Sequence, residues 1–81
     1  MNLENILLEL IKPLVNEPES IRVKMMDSLN DNETLLYVYV PKTDLPKLIG
    51  KQGKTAISIR QMMQLAGNET KKRISIKFEE L

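Results

Sequence analysis

Apolar residues recur along this chain with two different periods, and the change of period divides it into elements. Leu3, Ile6, Leu7, Leu10, Ile11, Leu14 and Val15 follow helical spacing with polar residues between them. They predict an amphipathic helix over about residues 2–16, with Asn2 as its cap. Pro13 removes one backbone hydrogen bond, so a kink or an early ending is expected there. Ile21, Val23 and Met25 alternate with Arg22 and Lys24, the mark of a half-buried strand. Asn30-Asp31-Asn32-Glu33 supplies turn chemistry. From Leu35 to Val40 both alternating sets are apolar, so a second strand pairs antiparallel with the first and lies centrally in its sheet.

Pro41 ends that strand, and the helical period returns. Thr43 or Asp44 caps a short helix through Ile49, with Pro46 in its first turn, where a missing N–H costs little. A second helix over about residues 54–66 ends at Gly67. Ala56, Ile59, Met62, Met63 and Ala66 share its core-facing side, whereas Ile57 points outward with Arg60, Gln61 and Gln64. Asn68 to Lys72 forms a polar loop, and Arg73 to Phe78 then turns Ile74, Ile76 and Phe78 inward and Ser75 and Lys77 outward. The order α-β-β-α-α-β predicts an α+β fold, one three-stranded sheet covered on one face by three helices.

Composition narrows the chemistry. Eighty-one residues suit a single domain, with residues 1–16 as the N-terminal helix and 42–78 holding the paired helices and closing strand. The chain has no cysteine and no histidine, so disulfides, thiolate metal sites and the commonest general base are excluded. No carboxylate pair is clustered as an acid and base would be, and no metal or cofactor is expected. A P-loop is excluded because its Gly-X-X-X-X-Gly-Lys-Ser/Thr spacing is missing. No leader pattern and no bilayer-length apolar run are visible, which predicts a cytoplasmic protein without membrane insertion.

The net charge of +1 conceals an uneven distribution. Residues 1–41 carry three basic and seven acidic side chains, a balance of −4. Residues 42–77 carry nine basic side chains against Asp44 and Glu69, a balance of +7, and Glu79 and Glu80 restore the total. A basic second half points to a polyanionic partner.

That half is centred on Leu48-Ile49-Gly50-Lys51-Gln52-Gly53-Lys54-Thr55. Glycine at both ends opens backbone dihedrals closed to other residues and removes Cβ atoms that hold another backbone away. The following helix begins at or just after Gly53, so its unpaired N–H groups and positive dipole end lie at this turn and favour phosphate. Lys51, Lys54 and, one helical turn earlier, Lys47 add mobile positive charge. Gly-X-X-Gly alone is a weak signal that a tight turn between helices also explains.

The run Asp44-Leu45-Pro46-Lys47-Leu48-Ile49-Gly50-Lys51-Gln52-Gly53-Lys54-Thr55, continued to Ile59-Arg60, resembles the signature of the KH domain. The helix and strand that precede it resemble the bacterial type II arrangement. Length and the opening segment with Lys12-Pro13-Leu14-Val15 are similar to the small single-KH proteins of the KhpA family, and the resemblance covers nearly the whole chain. It implies a mixed sheet and a groove for about four nucleotides of single-stranded RNA, with single-stranded DNA as an alternative.

By position, the resemblance implies that Gly50 and Gly53 admit the backbone, Lys51 and Gln52 meet phosphates, and Lys47 and Lys54 flank them. Ile49, Thr55, Ala56 and Ile59 would form an apolar groove floor, with Arg60, Arg73 and Lys77 on the base or phosphate side. The chain departs from the family at Pro46, Ala56 and Ile57, where glycine, a larger aliphatic and a polar residue are usual. The resemblance further implies an RNA chaperone or post-transcriptional regulator acting with a KhpB (Jag)-type partner in cell division or envelope growth. A protein-interaction module is the alternative, with homodimer formation or partner docking through Ile57 and Met62. Tyr37 and Tyr39 lie on the second strand rather than in the loop, so base stacking on rings is not predicted.

Overall fold

The first helix stops where its proline demands. In the computed structural model, which describes residues 3–26, 32–67 and 73–81, α1 spans Leu3–Ile11 and a single 3-10 turn, Lys12–Leu14, replaces its predicted last turn. Pro13 has no N–H to continue the α-helical ladder. The change of winding turns Leu14 to solvent at 40 % exposure, against the helical stripe, while Val15 still packs on the core. The predicted cap Asn2, the Asn30-Asp31 half of the turn and the loop Asn68–Lys72 lie outside the described residues.

The sheet has three strands in the order β1-β2-β3. β1 (Arg22–Met26) runs antiparallel to β2 (Glu33–Val40), and β2 runs parallel to β3 (Arg73–Glu80). The strand with two apolar faces is therefore central, as its composition requires. A parallel neighbour needs a crossover, which α2 (Leu45–Ile49) and α3 (Lys54–Ala66) provide. Leu36, Val38 and Val40 of β2 and Ile74 and Ile76 of β3 form one buried cluster with Leu7, Ile11, Leu48, Ile59 and Met63 from the helices. All three helices thus cover the same face, and the fold is α+β with a mixed sheet.

Two apolar residues leave the faces assigned to them by periodicity. Met25 shares a face with Val23 but is 47 % exposed, at the far end of an edge strand. Met62 is 54 % exposed while Met63 is fully buried, which corrects the expectation that both face the core. Residues 62 and 63 are about 100° apart around a helix, so the buried stripe of Ala56, Ile59 and Met63 leaves Met62 at its margin.

Gln64 and Arg60, one turn apart on α3, both reach the outer edge of β3. The Ile74 N–H donates to Gln64 Oε1 at 2.6 Å, and Arg60 Nη2 donates to the Ile76 carbonyl at 3.5 Å. Side chains from α3 thereby occupy backbone groups that an edge strand otherwise exposes. Gly67 ends α3 with φ −90°, outside the left-handed region. A side chain there meets Ile74, so close approach of β3 explains this glycine better than a left-handed cap.

Candidate nucleic-acid interface

The turn between α2 and α3 is built from three positive-φ residues within four positions: Gly50 (75°), Gln52 (58°) and Gly53 (75°). The Gly50 N–H donates to the Pro46 carbonyl at 2.8 Å, and the Gly53 N–H donates to the Gly50 carbonyl at 3.2 Å. These bonds close α2 and a single 3-10 turn, Lys51–Gly53, that feeds directly into α3. The two glycines serve different ends. A Cβ at Gly50 would collide with the side chain of Thr55 and lie 2.9 Å from its backbone nitrogen, whereas one at Gly53 would meet nothing within 4 Å. Gly50 lets the first turn of α3 close against α2. Gly53 leaves open space at the loop surface.

No side chain caps α3; the Gly53 and Lys54 N–H groups donate to the Gly50 and Lys51 carbonyls of the 3-10 turn, and the positive end of the helix dipole lies at this turn. Lys51, Gln52 and Lys54 are exposed around this helix end, and Thr55 is half-buried beneath Gly50. Ile49 is 41 % exposed beside the glycines. Ala56 and Ile59, expected on a groove floor, are only 4 % and 3 % exposed. They support the surface from within the core rather than form it.

Asp44 holds the other end of α2, though not as a helix cap. It occupies the cap position, yet its carboxylate makes no capping bond to the helix. Oδ1 accepts the Asn16 N–H at 3.0 Å and Oδ2 accepts the Glu17 N–H at 3.1 Å, clasping the segment that follows the first 3-10 turn. Lys47 Nζ lies 3.6 Å from Oδ1, and the Asp44 side chain is fully buried. The hydrogen bond from Asn16 is the main influence holding this carboxyl below its ordinary range; burial opposes it, and Glu17 and Lys47 reinforce it. Lys47 is therefore partly engaged, at 40 % exposure, and is not a fully mobile cation beside the loop.

The remaining predicted cations do not converge on the loop. The Arg60 guanidinium sits 5.7 Å from the centroid of the Phe78 ring while reaching the β3 edge. Arg73 and Lys77 are in register with Glu33 and Tyr37 of β2. Alternation places them on the sheet face opposite Ile74 and Ile76, away from the helices. Periodicity already turned Lys77 outward; only the layering reveals that outward means the uncovered face. Among the described residues no group of three or more His, Cys, Asp or Glu is arranged to hold a metal, and no helix is long and apolar enough to cross a membrane.

The order α-β-β-α-α-β, the mixed sheet and the Gly-X-X-Gly turn between the last two helices define a KH domain in the type II arrangement. The family model described as the KH domain of KhpA and KhpB matches residues 4–78. The chain belongs to that family.

Among its relatives, RNA-binding protein KhpA of Bacillus subtilis is 36 % identical over 77 residues, covering 95 % of this chain and 93 % of that protein. RNA-binding protein KhpA of Listeria monocytogenes is 31 % identical, covering 96 % of this chain and 100 % of that protein. The protein of the same name from Chlamydia pneumoniae is 33 % identical over 88 % of each chain. Two Era structures share the fold at 22 % identity: one from Aquifex aeolicus bound to GDP.AlF4− (TM-score 0.65) and one in complex with MgGDPNP and a segment of 16S ribosomal RNA (TM-score 0.66). This chain spans 29 % of either Era chain.

Proposed function

We propose that this chain is a non-catalytic RNA-binding protein that holds about four nucleotides of single-stranded RNA along its Gly-X-X-Gly turn. One observation carries the reading: the positive-φ turn at Gly50, Gln52 and Gly53 presents Lys51 and Gln52 at a helix N-terminus that has no side-chain cap, with open space over Gly53. Backbone amides and exposed cations at such a turn suit a phosphate chain. The relatives named RNA-binding protein support RNA as the ligand. A site that reads phosphates also accepts single-stranded DNA. In this reading the protein acts in the cytoplasm as an RNA chaperone or post-transcriptional regulator. It works with a KhpB (Jag)-type partner and influences cell division or envelope growth.

The test is titration of a labelled mixed-sequence single-stranded RNA with the parent and a Lys51→Asp, Gln52→Asp variant at two salt concentrations. Both glycines remain, so circular dichroism should match the parent. The parent should bind more weakly as salt rises, and the variant should bind several-fold more weakly than the parent at either salt concentration. Equal binding by both proteins would overturn the assignment of the loop.

A second reading, a protein-interaction module, has its own observation. Ile57, Met62 and Leu65 on α3 are 49 %, 54 % and 79 % exposed and lie within one arc of the helix. Homodimer formation or partner docking through this arc is compatible with RNA binding, and sedimentation of an Ile57→Gln, Met62→Gln variant tests it. Loss of a dimer present in the parent is the expected result. An unchanged sedimentation coefficient removes this face.

A further inference from the structure

The helices cover one face of the sheet, and the other face is chemically distinctive. The register sets Arg22, Lys24 and Met26 of β1 beside Tyr39, Tyr37 and Leu35 of β2. On the other side it sets Ser75, Lys77 and Glu79 of β3 beside the same three residues. Directly paired residues share a face, and Leu36, Val38 and Val40 face the core. Tyr37 and Tyr39, the only tyrosines in the chain, therefore stand at the centre of the uncovered face.

Their ring centroids are 6.1 Å apart at an interplanar angle of 79°, so the rings brace one another edge to face. Lys24 and Lys77 flank Tyr37 from both sides, and both are exposed. Arg22 lies beside Tyr39, its Nη1 donating to the carbonyls of Glu19 and Ile21 at 2.9 Å each. Glu79 is the acidic neighbour of this group, and Arg73 pairs in register with Glu33 at the far end.

The geometry points to this uncovered face as a second contact surface for single-stranded RNA, distinct from the Gly-X-X-Gly turn, with Tyr37 and Tyr39 stacking bases and Lys24 and Lys77 meeting phosphates. Aromatic rings on a central strand between cations are a stacking platform that tolerates any base sequence. The two surfaces lie on opposite sides of the sheet, so a strand longer than the loop accommodates has a second place to bind. This rests on the reading of the chain as an RNA-binding protein, but not on which residues of the loop make contact.

The test is photo-cross-linking of an oligouridylate carrying 5-bromouridine to the full chain, with attachment sites mapped by mass spectrometry. It is accompanied by binding titrations of a Lys24→Glu, Lys77→Glu variant and of a Tyr37→Leu variant. Cross-links at Tyr37 or Tyr39 are expected, and they should persist in the Lys51→Asp, Gln52→Asp protein. The lysine variant, whose changed positions are exposed, should fold as the parent does and bind the oligouridylate at least about fivefold more weakly, as should Tyr37→Leu.

Cross-links confined to residues 47–57, or parental affinity in the lysine variant, overturn the proposal. So does loss of self-association in that variant with RNA binding intact, which assigns the face to protein. Failure of the loop reading looks different: the Lys51→Asp, Gln52→Asp protein then binds as the parent does, whatever happens at the tyrosines.

Discussion

The carboxylate of Asp44 accepts the backbone N–H of Asn16, 28 positions earlier in the chain, at 3.0 Å. That bond, with its twin from Glu17, ties the exit of the N-terminal helix to the first residue before α2. The helix that leads into Gly50 is thereby fixed at both ends, by Asp44 at its start and by the Gly50–Thr55 approach at its close.

Asp44 predicts an acid-sensitive fold. Its folded-state carboxyl titrates below the ordinary range, so the ionised form contributes stability that is present above the unfolded value, about 4. That contribution is lost as pH falls through the lower folded value. Asp44→Asn should destabilise the protein at neutral pH, because one of the two oxygens that each accept a backbone N–H becomes an NH2 donor facing a donor. It should also flatten the stability profile at acidic pH. Urea unfolding across pH 2–7 measures both, and an unchanged profile would falsify the role given to Asp44.

The two glycines of the turn should respond unequally to alanine. Gly53→Ala places a Cβ in open space and pays only for the left-handed backbone, about 1–2 kcal/mol. Gly50→Ala adds collision with Thr55 to a backbone conformation that is essentially glycine-only, and should cost at least about 2 kcal/mol. Chemical denaturation of both variants reads the difference; equal losses would refute the distinction.

Gln52 holds a left-handed conformation with a side chain poorly suited to it. Asparagine tolerates that region better, so Gln52→Asn should raise stability by about 0.5 kcal/mol with the turn unchanged. Thermal melts of the two proteins decide this, and a lower melting temperature for the variant counts against the strained turn.

Adjacent methionines on α3 should differ sharply. Met63→Ala opens a cavity in the core and should cost about 2–5 kcal/mol. Met62→Gln alters an exposed position and should stay within about 0.5 kcal/mol. Comparable losses at the two positions in urea would place Met62 in a buried setting, such as an interface between copies.

Local pattern alone determined the element order, the central position of β2, the bounds of α3 and the placing of the Gly-X-X-Gly turn between two helices. Each of these depends on residues a few positions apart: period 3.6 or 2, prolines at Pro13, Pro41 and Pro46, and glycines at Gly50 and Gly53. Tertiary structure alone decided what Asp44 binds, since its partners lie 27 and 28 residues away and nothing local distinguishes a clasp from a cap. It also decided that Arg60 rests on Phe78 and the β3 edge, and that Arg73 and Lys77 flank the uncovered face. Alternation tells which side chains share a face of a strand, but only the packing of helices tells which face is covered.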